Sequence, residues 1–495
     1  MGAQSSVDPF WKGLVRIEPD PRALQFADAV TQERKNNGEV GWETLLNASL
    51  WASGADEGPP GSTTAQNGPS DPSQKLRKVI EKLRTDGGPR GDGRTKGEAV
   101  LSLMYQDFLR AYSERQTRLD VLLRTGYYNC VSSAVLYTII GRSVGLDVQG
   151  VATRDHAFCL LRLGDVSVDV ETTSSLGFDP GSKTEFHDAF GRLTGFAYVP
   201  PRNYADRTNL DPMELVSLIL SNRVAEADAA FRFADSVSYS VDRLALLSYE
   251  ASNAPSEVYA KAQNELVERL LNFGTALARG GKEDSALEWA AYAQMRFGQD
   301  QRWLDFCYSA LNNLVVQDLR RGNYPGGRSH LNQWASLVAE DKRKVLDTLL
   351  TDGELTAQVQ AAHDPVAWAS ADAAIAQAQS EGRIGAPRAV ELRVFGALSE
   401  AQGAAKTGGY GAALQVLDRS IARLGPEGPL VNAQRLFRSN RVAELHNGFA
   451  ELFNQRRFDE ARTYILSALQ EFPQENRLQQ DLDIVEKNIR KNSSP

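Results

Sequence analysis

Residues 126–173 read GYYNCVSSAVLYTIIGRSVGLDVQGVATRDHAFCLLRLGDVSVDVETT, and this stretch predicts the fold of the region around it. Gly126 ends a preceding helix, and Asn129 is a suitable N-cap for a new one. Apolar residues then recur at helical spacing from Cys130 to Val144. We therefore expect a helix with Cys130 in its first turn, where unpaired N–H groups and the positive helix end stabilise a thiolate. A cysteine at a helix terminus is typical of a reactive thiol, whereas a packing cysteine usually lies in the middle of an apolar face.

Strands are predicted to follow this helix. Gly145 ends the helix, and residues 146–152 have the pattern of a short strand. Residues 156–163 and 166–173 flank Gly164-Asp165, a two-residue connection with glycine first, as a type II′ turn prefers. We expect these two segments to form a hairpin, so that helix and strands together predict an α+β fold.

The register of this hairpin predicts which side chains share a face. Counting back from the turn places Phe158 opposite Glu171 and His156 opposite Thr173. Because strand side chains alternate, His156, Asp169 and Glu171 project from the same side. Glu171 is the diagonal neighbour of His156, whereas Asp169 lies two residues further away. Glu171 is therefore our predicted partner of the imidazole, and Asp169 is the reserve.

The same alternation separates Cys159 from His156. The two residues are three positions apart on a strand, so their side chains point to opposite faces. A zinc site built from Cys130, His156 and Cys159 would need both faces at once. We expect no metal and no cofactor, and we interpret Cys159 as a core residue.

The order of these residues resembles a known enzyme superfamily. Cys130 at a helix start, His156-Ala157-Phe158 at a strand start and Glu171-Thr172-Thr173 at the end of the paired strand resemble the transglutaminase-like superfamily of papain-type thiol enzymes. Residues 116–204 resemble the bacterial branch that is often joined to tetratricopeptide-type (TPR) repeats. The resemblance implies a papain/transglutaminase-like catalytic domain with Cys130, His156 and Glu171 as its triad. Glutamate stands here at a position where the family usually has aspartate.

Two groups are candidates for stabilising an oxyanion. The backbone N–H of Cys130 is unpaired if the residue begins a helix. Papain-type enzymes also place a glutamine upstream of the cysteine, and Gln116 is the candidate here. The alternative interpretation of Gln116 is a surface amide on a loop.

The chain of 495 residues is long enough for two to three domains. We expect an N-terminal helical segment over residues 1–53 and a flexible linker rich in Gly, Pro and Ser over 54–74. The transglutaminase-like domain is then predicted over 75–210, and an all-α region over 211–495.

The all-α region shows features typical of TPR-like repeats. Small residues recur seven positions apart, which allows helices to approach closely. An α-solenoid would bind a protein partner or substrate on its concave surface, and an irregular helical bundle is the alternative. The pairs of small residues are Ala286/Ala293, Ala413/Ser420 and Ala461/Ala468.

Composition excludes several classes of protein. A net charge of −8 and a pI near 5.4 make nucleic acid an unsuitable partner. No apolar run approaches the length of a membrane span, and three cysteines do not make a disulfide framework. The compartment stays open: the sequence as given fits a cytoplasmic protein, and a removed leader would fit the periplasm or cell envelope.

Two functions from different classes fit these observations. The first is a cysteine-dependent peptidase, deamidase or transglutaminase-type acyltransferase that acts on protein or peptide amides. The second is a catalytically inactive transglutaminase-like scaffold that binds proteins. The joint presence of Cys130 and His156 favours the enzyme, because a scaffold has no use for the pair.

Overall fold

The computed structural model describes residues 10–55, 71–85, 90–180, 207–250, 256–362 and 365–492. In these residues the chain is α+β and mostly helical, as expected, and the strands form two small sheets. It divides into two compact units, Met1–Phe306 and Cys307–Pro495. The expected boundary between residues 210 and 211 falls inside the first unit, because the helix Pro212–Ala229 packs on the sheet and on the helices Trp42–Ala52 and Cys130–Ser143.

The first unit contains helices before and after the sheet. In chain order they are α1 (Pro21–Asn37), α2 (Trp42–Ala52), α3 (Gln74–Thr85), α4 (Gly93–Asp107), α5 (Leu119–Thr125), α6 (Cys130–Ser143), α7 (Pro212–Ala229), α8 (Phe233–Leu246), α9 (Glu257–Arg279) and α10 (Glu283–Phe297). Helix α11 (Gln301–Arg320) continues into the second unit.

Two sheets lie in the first unit. A two-stranded parallel sheet pairs β1 (Ala111–Tyr112) with β2 (Tyr127–Tyr128), and Tyr112 lies opposite Tyr128. The larger sheet is antiparallel and has the order β5–β4–β3–β6. Its strands are β3 (Asp147–Ala152), β4 (Ala157–Leu163), β5 (Val166–Val170) and β6 (Thr208–Leu210).

The hairpin register near the turn is as predicted. Leu163 pairs with Val166 and Leu160 pairs with Asp169. Gly164 adopts a φ of 67°, the left-handed conformation that a tight hairpin turn requires. The pairing does not extend to Thr173, however: β5 ends at Val170, where the chain turns away from β4.

Helix α6 is the central element of the first unit. Every residue from Val131 to Gly141 is buried, since the helix packs against β3 and β4, against α4, and against α2 and α7. A helix that is covered on all sides needs apolar or small residues around its whole circumference. The core therefore fixes the position of the helix start, where Cys130 lies.

Helices that precede and follow the sheet along the chain complete this core. Helix α7 contacts β3, α6 and α2, and α1 contacts α8. Arg34 of α1 forms an ion pair of 2.7 Å with Asp211, the N-cap of α7. The N-terminal helices and the first helices after residue 210 are thus structural parts of the sheet-containing unit.

Every regular element in the described residues of the second unit is a helix, and each helix from α12 on contacts the next one along the chain. This arrangement has the character of a helical repeat. The helices are α12 (Tyr324–Gln333), α13 (Glu340–Ala361), α14 (Pro365–Ser380), α15 (Ala386–Leu424, interrupted at Gly409), α16 (Gly428–Asn454), α17 (Phe458–Glu471) and α18 (Asn476–Asn492).

The small residues singled out in the sequence are all buried. Each pair lies on a single helix, in α10, α15 or α17. Their short side chains leave room for a neighbouring helix, as the seven-residue spacing predicts. The buried residues are Ala286, Ala293, Ala413, Ser420, Ala461 and Ala468.

None of the helices in the described residues is both long enough and apolar enough to span a bilayer.

Candidate active site

Cys130 is the first residue of α6, as the sequence predicts. The side chain of the N-cap Asn129 accepts a hydrogen bond from the backbone N–H of Ser132, and the Ser132 hydroxyl in turn accepts one from the backbone N–H of Asn129. This capping box does not involve the backbone N–H of Cys130. Cys130 is half-buried, whereas its neighbours in α6 are buried. The thiol therefore lies where the core meets solvent, at the positive end of a helix.

His156 and Glu171 are in direct contact. The distance from His156 Nε2 to Glu171 Oε2 is 2.6 Å, and the Glu171 side chain is only 2% exposed. His156 lies immediately before β4, and Glu171 lies immediately after β5. Among the two acids that share a face with His156, the structure brings Glu171, and not Asp169, to the imidazole.

The second carboxylate oxygen of Glu171 is also hydrogen-bonded, and these bonds hold the side chain in place. Its Oε1 accepts hydrogen bonds from the backbone N–H of Thr173, at 3.0 Å, and from the Thr173 hydroxyl, at 2.7 Å. Its own backbone N–H donates to the carbonyl of Gly177 at 2.7 Å. The turn that ends β5 therefore orients the carboxylate toward His156. The same turn explains why the pairing of β5 with β4 does not continue to Thr173.

The turn depends on Gly177. A β-carbon at position 177 would overlap the carbonyl oxygen of Glu171, which is backbone and cannot rotate away. We expect the Gly177→Ala variant to lose about 2–3 kcal/mol of unfolding free energy, because the turn must shift to accept the methyl group. Chemical denaturation of the full chain measures this loss.

Gly145→Ala is the matched control for this substitution. Gly145 also lies at a turn and has a φ of 78°, but a β-carbon there meets open space. Its cost should be limited to backbone strain, about 1 kcal/mol. If the two variants are equally stable, steric overlap with Glu171 does not govern this turn.

The electrostatic surroundings of His156 favour the imidazolium. Burial opposes the charged ring, but the Glu171 carboxylate and the hydrogen bond to the Cys130 side chain outweigh burial and raise the pKa of His156 to about 11. The ring is therefore protonated at neutral pH.

His156 thus connects the thiol to the carboxylate. Its Nε2 is bonded to Glu171, and Cys130 is a second hydrogen-bond partner of the ring. Because an imidazole has only two nitrogens, Nδ1 is the atom that remains for the thiol. The three side chains form a hydrogen-bonded series of thiol, imidazole and carboxylate.

Asp169 has a different partner. Arg207, just before β6, donates to both of its carboxylate oxygens, at 2.6 and 3.1 Å. The Arg207 guanidinium also lies over the ring of Phe158, 5.3 Å from its centroid, and Phe158 stacks on His156 at 6.2 Å. Asp169 therefore fixes the surroundings of the imidazole without touching it.

The Gln116 side chain is already hydrogen-bonded to backbone. Its amide Nε2 donates to the carbonyls of Arg118, at 2.7 Å, and Tyr127, at 3.2 Å. Both amide hydrogens are used in these bonds, so the side chain holds together the segment that leads to β2. In this arrangement Gln116, in the loop between β1 and α5, has no amide hydrogen left for an oxyanion.

A cleft of about 590 Å³ opens beside Cys130. Its walls come from the segment after β1, from the turn before β4, and from α7. Such a volume lies within the range of small-molecule and peptide side-chain sites. The lining residues are Tyr112, Glu114, Arg115, Asn129, Cys130, Asp155, Asn222, Ala225 and Glu226.

The sequence analysis missed Tyr112 as a member of this site. It extends the helical pattern that precedes it, but the helix ends at Asp107 and Tyr112 lies in β1. Parallel pairing with Tyr128 brings Tyr112 close to Cys130, two residues further along the chain. Burial and the charges of Cys130, Glu114 and Glu171 raise the pKa of the Tyr112 hydroxyl, so it stays a protonated donor.

The other two cysteines are buried away from the cleft. Cys159 contacts α6, with its sulfur 3.3 Å from the carbonyl oxygen of Ala134, as expected for a core residue. Burial raises the pKa of Cys159 and of Cys307 to about 12 in each case. Within the residues that the structure describes, no group of three His, Cys, Asp or Glu side chains is arranged to hold a metal ion.

The aromatic residues of the Gly- and Pro-rich segment 174–209 predict that it packs on the sheet-containing domain, and residues 181–206 of this segment lie outside the described residues. The linker residues 56–70 do so too.

Comparison with known proteins does not identify a family. No protein-family model matches the chain, and no curated protein matches it. Among solved structures, a crystal structure of menin that reveals the binding site for the Mixed Lineage Leukemia (MLL) protein matches 81% of this chain and 98% of its own, at 13% identity and a TM-score of 0.29. A TM-score of 0.29 is too low to indicate a shared fold.

Proposed function

We propose that this protein is a cysteine-dependent amide hydrolase or acyltransferase, with a papain/transglutaminase-like catalytic domain. The observation that supports the proposal is the series Cys130, His156 and Glu171, which begins at a helix terminus and opens onto a cleft. Nucleophile, base and orienting acid in mutual contact are what thiol acyl transfer requires. The resemblance of the sequence to transglutaminase-like enzymes agrees with this assignment.

Each residue has a defined part in the proposed reaction. The Cys130 sulfur attacks the carbonyl carbon of a protein or peptide amide, and the His156 imidazolium gives its proton to the leaving amine. A thioester with Cys130 remains. Water or a primary amine then attacks the thioester, His156 takes up the proton, and the thiolate leaves. Water as acceptor gives a peptidase or deamidase, and an amine gives a transglutaminase-type product.

The oxyanion needs two donors, and we assign the backbone N–H of Cys130 and the hydroxyl of Tyr112. The capping box does not involve the first, and the second lines the same cleft. We expect Tyr112→Phe to slow the acylation of Cys130 by p-nitrophenyl acetate about ten- to a hundredfold, because one donor is lost while the ring is kept.

Release of p-nitrophenolate in single-turnover experiments measures this effect. Tyr127→Phe is the matched control, since Tyr127 is the exposed neighbour of Tyr128 in β2 and does not line the cleft. Equal rates for the two variants would remove Tyr112 from the proposed site.

Selective alkylation tests whether the thiol is activated. We expect iodoacetamide to modify Cys130 in the native chain at pH 6, at least about a hundredfold faster than Cys159 or Cys307. Cys130 lies beside a protonated imidazole, whereas both of the other thiols are buried and protonated. Mass spectrometry of the three cysteine peptides measures the three rates in one sample.

Unfolded protein is the control for alkylation. In denaturant the three thiols should react at similar rates, because the difference comes from the fold. Similar rates in the native chain would contradict an activated Cys130.

A protein-binding scaffold is the second candidate. The observation that favours it is the Gln116 amide, which is bonded to backbone and cannot serve as the glutamine of papain-type enzymes. In either case we propose that the TPR-like helices of the second unit bind a protein partner or substrate. A Cys130→Ala variant that keeps full biological function would favour the scaffold.

A further inference from the structure

The first unit contains a second cavity, of about 320 Å³, that is distinct from the cleft beside Cys130. The two cavities border the same turn, because Thr153 and Arg154 line the second cavity and Asp155 lines the cleft. The turn is closed by a hydrogen bond of 2.9 Å from the backbone N–H of Thr153 to the carbonyl of His156.

Cations dominate the polar lining of this cavity. Arg154, Arg243 and Lys261 border it, and Glu257 is the acidic residue among its lining side chains. Neither Arg154 nor Lys261 forms an ion pair with the described part of the chain. This concentration of positive charge occurs in a chain whose net charge is −8. It is therefore a local feature and not a consequence of overall composition.

Arg243 lacks part of the pairing that a buried arginine needs. Its side chain is 5% exposed, and its Nη1 forms an ion pair with Glu265 of α9. Its Nε is buried and has no hydrogen-bond partner in the residues that the structure describes. Burial lowers the pKa of Arg243 although Glu265 and Glu214 oppose the shift. Because Arg243 also lines the cavity, an anion bound there adds a second negative charge beside its buried guanidinium.

The rest of the lining is uncharged. Leu210 of β6, Leu218 of α7 and Val258 of α9 contribute hydrocarbon, and the Ala152, Thr153 and Thr208 side chains complete the wall. A cavity of this size and lining accepts a compact apolar group next to the charged end. An inorganic anion supplies the negative charge but leaves the apolar side chains of the cavity uncovered.

From this juxtaposition of a partly unpaired buried arginine, two unpaired cations and an apolar wall, we infer that the cavity binds a small organic carboxylate with an apolar body. The carboxylate contacts Arg243 and Lys261, and the apolar body covers Leu210 and Leu218. Two sources supply this chemistry: a free aliphatic acid, or the C-terminal carboxylate of a peptide that ends in an apolar residue.

Calorimetric titration of the full chain tests the inference with four probes. Octanoate represents the free acid and N-acetyl-leucine represents the peptide terminus. Octylamine has a similar hydrocarbon chain but a positive charge. Inorganic phosphate has a negative charge but no hydrocarbon. We expect at least one carboxylate to bind with a dissociation constant at or below about 1 mM, and at least about tenfold more tightly than octylamine or phosphate. The tighter of the two carboxylates identifies the source.

Variants locate the bound carboxylate. Lys261→Met should weaken binding about tenfold and Arg243→Met about ten- to a hundredfold, since each removes a charge-assisted contact. Arg279→Met, at the opposite end of α9, removes the same charge outside the cavity and should leave the affinity unchanged. Lys261 is exposed, so its variant tests the inference even if Arg243→Met fails to fold.

Three results would overturn the inference. They are absence of binding by both carboxylates, equal binding of octylamine or phosphate, and an unchanged affinity in Lys261→Met. None of the measurements depends on catalysis by Cys130, so the inference and the proposed function fail separately.

Discussion

The Cys130→Ala variant is expected to lose acyl transfer altogether, with a rate at least about 10⁴-fold below that of the parent chain. In the proposed reaction the sulfur forms the bond to the acyl group, and no other described cysteine borders the cleft. Without it, His156 and Glu171 have no nucleophile to activate. The loss should appear in kcat as well as in kcat/KM, because the missing bond exists only after substrate has bound.

Reaction with p-nitrophenyl acetate measures this loss before any natural substrate is known. The parent chain should release a burst of one p-nitrophenolate per molecule, and the acetyl group should be found on the peptide that contains Cys130. Cys307→Ala is the matched control, because it removes a buried thiol in the other compact unit. A burst of unchanged size in Cys130→Ala would end the case for catalysis by this residue.

The second large effect is expected at Glu171. Replacing it with glutamine keeps the size of the side chain but removes the negative charge 2.6 Å from His156 Nε2. A neutral amide no longer stabilises the imidazolium, and the wrong tautomer of the ring becomes accessible. We expect the acylation rate to fall about 10²- to 10⁴-fold.

Asp169→Asn separates an effect at the imidazole from a general effect of removing an acid. Asp169 is on the same sheet, but its carboxylate is paired with Arg207. We expect its substitution to lower the rate less than about tenfold, through the packing of Arg207 on Phe158. A larger loss in Asp169→Asn than in Glu171→Gln would mean that the roles of the two acids are reversed.

The pH dependence of stability provides an independent measurement of the same pair. The folded pKa of His156 is raised from 6.5 to about 11, so the native state holds a proton that the unfolded chain releases above pH 6.5. The share of the stability that comes from His156 is complete below pH 6.5 and is lost as the pH rises toward 11.

Glu171→Gln should reduce this loss of stability with pH, because the carboxylate that raises the pKa is gone. Chemical denaturation between pH 6 and 9 compares the two chains. An identical pH dependence would show that His156 is not protonated in the way that its contact with Glu171 implies.

The sequence predicted much of the site because its strongest signals are local. Asn129 caps a helix that begins at Cys130, and the hairpin has the register that Gly164-Asp165 implies. Both features depend on residues within a few positions of one another, where turn chemistry and side-chain periodicity act directly. The prediction of Glu171 as the partner of His156 also came from the register. The predicted pairing of the two strands was nevertheless wrong beyond Val170, where a turn through Gly177 replaces the antiparallel pairing.

The residues that sequence analysis misplaced are those with distant partners. Tyr112 follows a helical pattern, but β1 leaves the helix and pairs with β2. Gln116 has the right position along the chain for an oxyanion donor, yet the carbonyls of Arg118 and Tyr127 take both of its hydrogens. Helix α7, expected to belong to the helical region, packs on α6 and supplies one wall of the cleft.

The sequence by itself determined the elements of this protein: a helix that begins at a cysteine, a hairpin that follows a histidine, and a long helical region. Only the tertiary structure decided which acid contacts His156, whether the Gln116 amide is hydrogen-bonded to backbone, and which residues enclose the cleft. The reason is physical. Secondary structure follows from dihedral preferences and from the period of apolar side chains, which neighbouring residues set. A hydrogen bond between side chains requires atoms within about 3 Å of each other, and packing of the whole unit determines that distance.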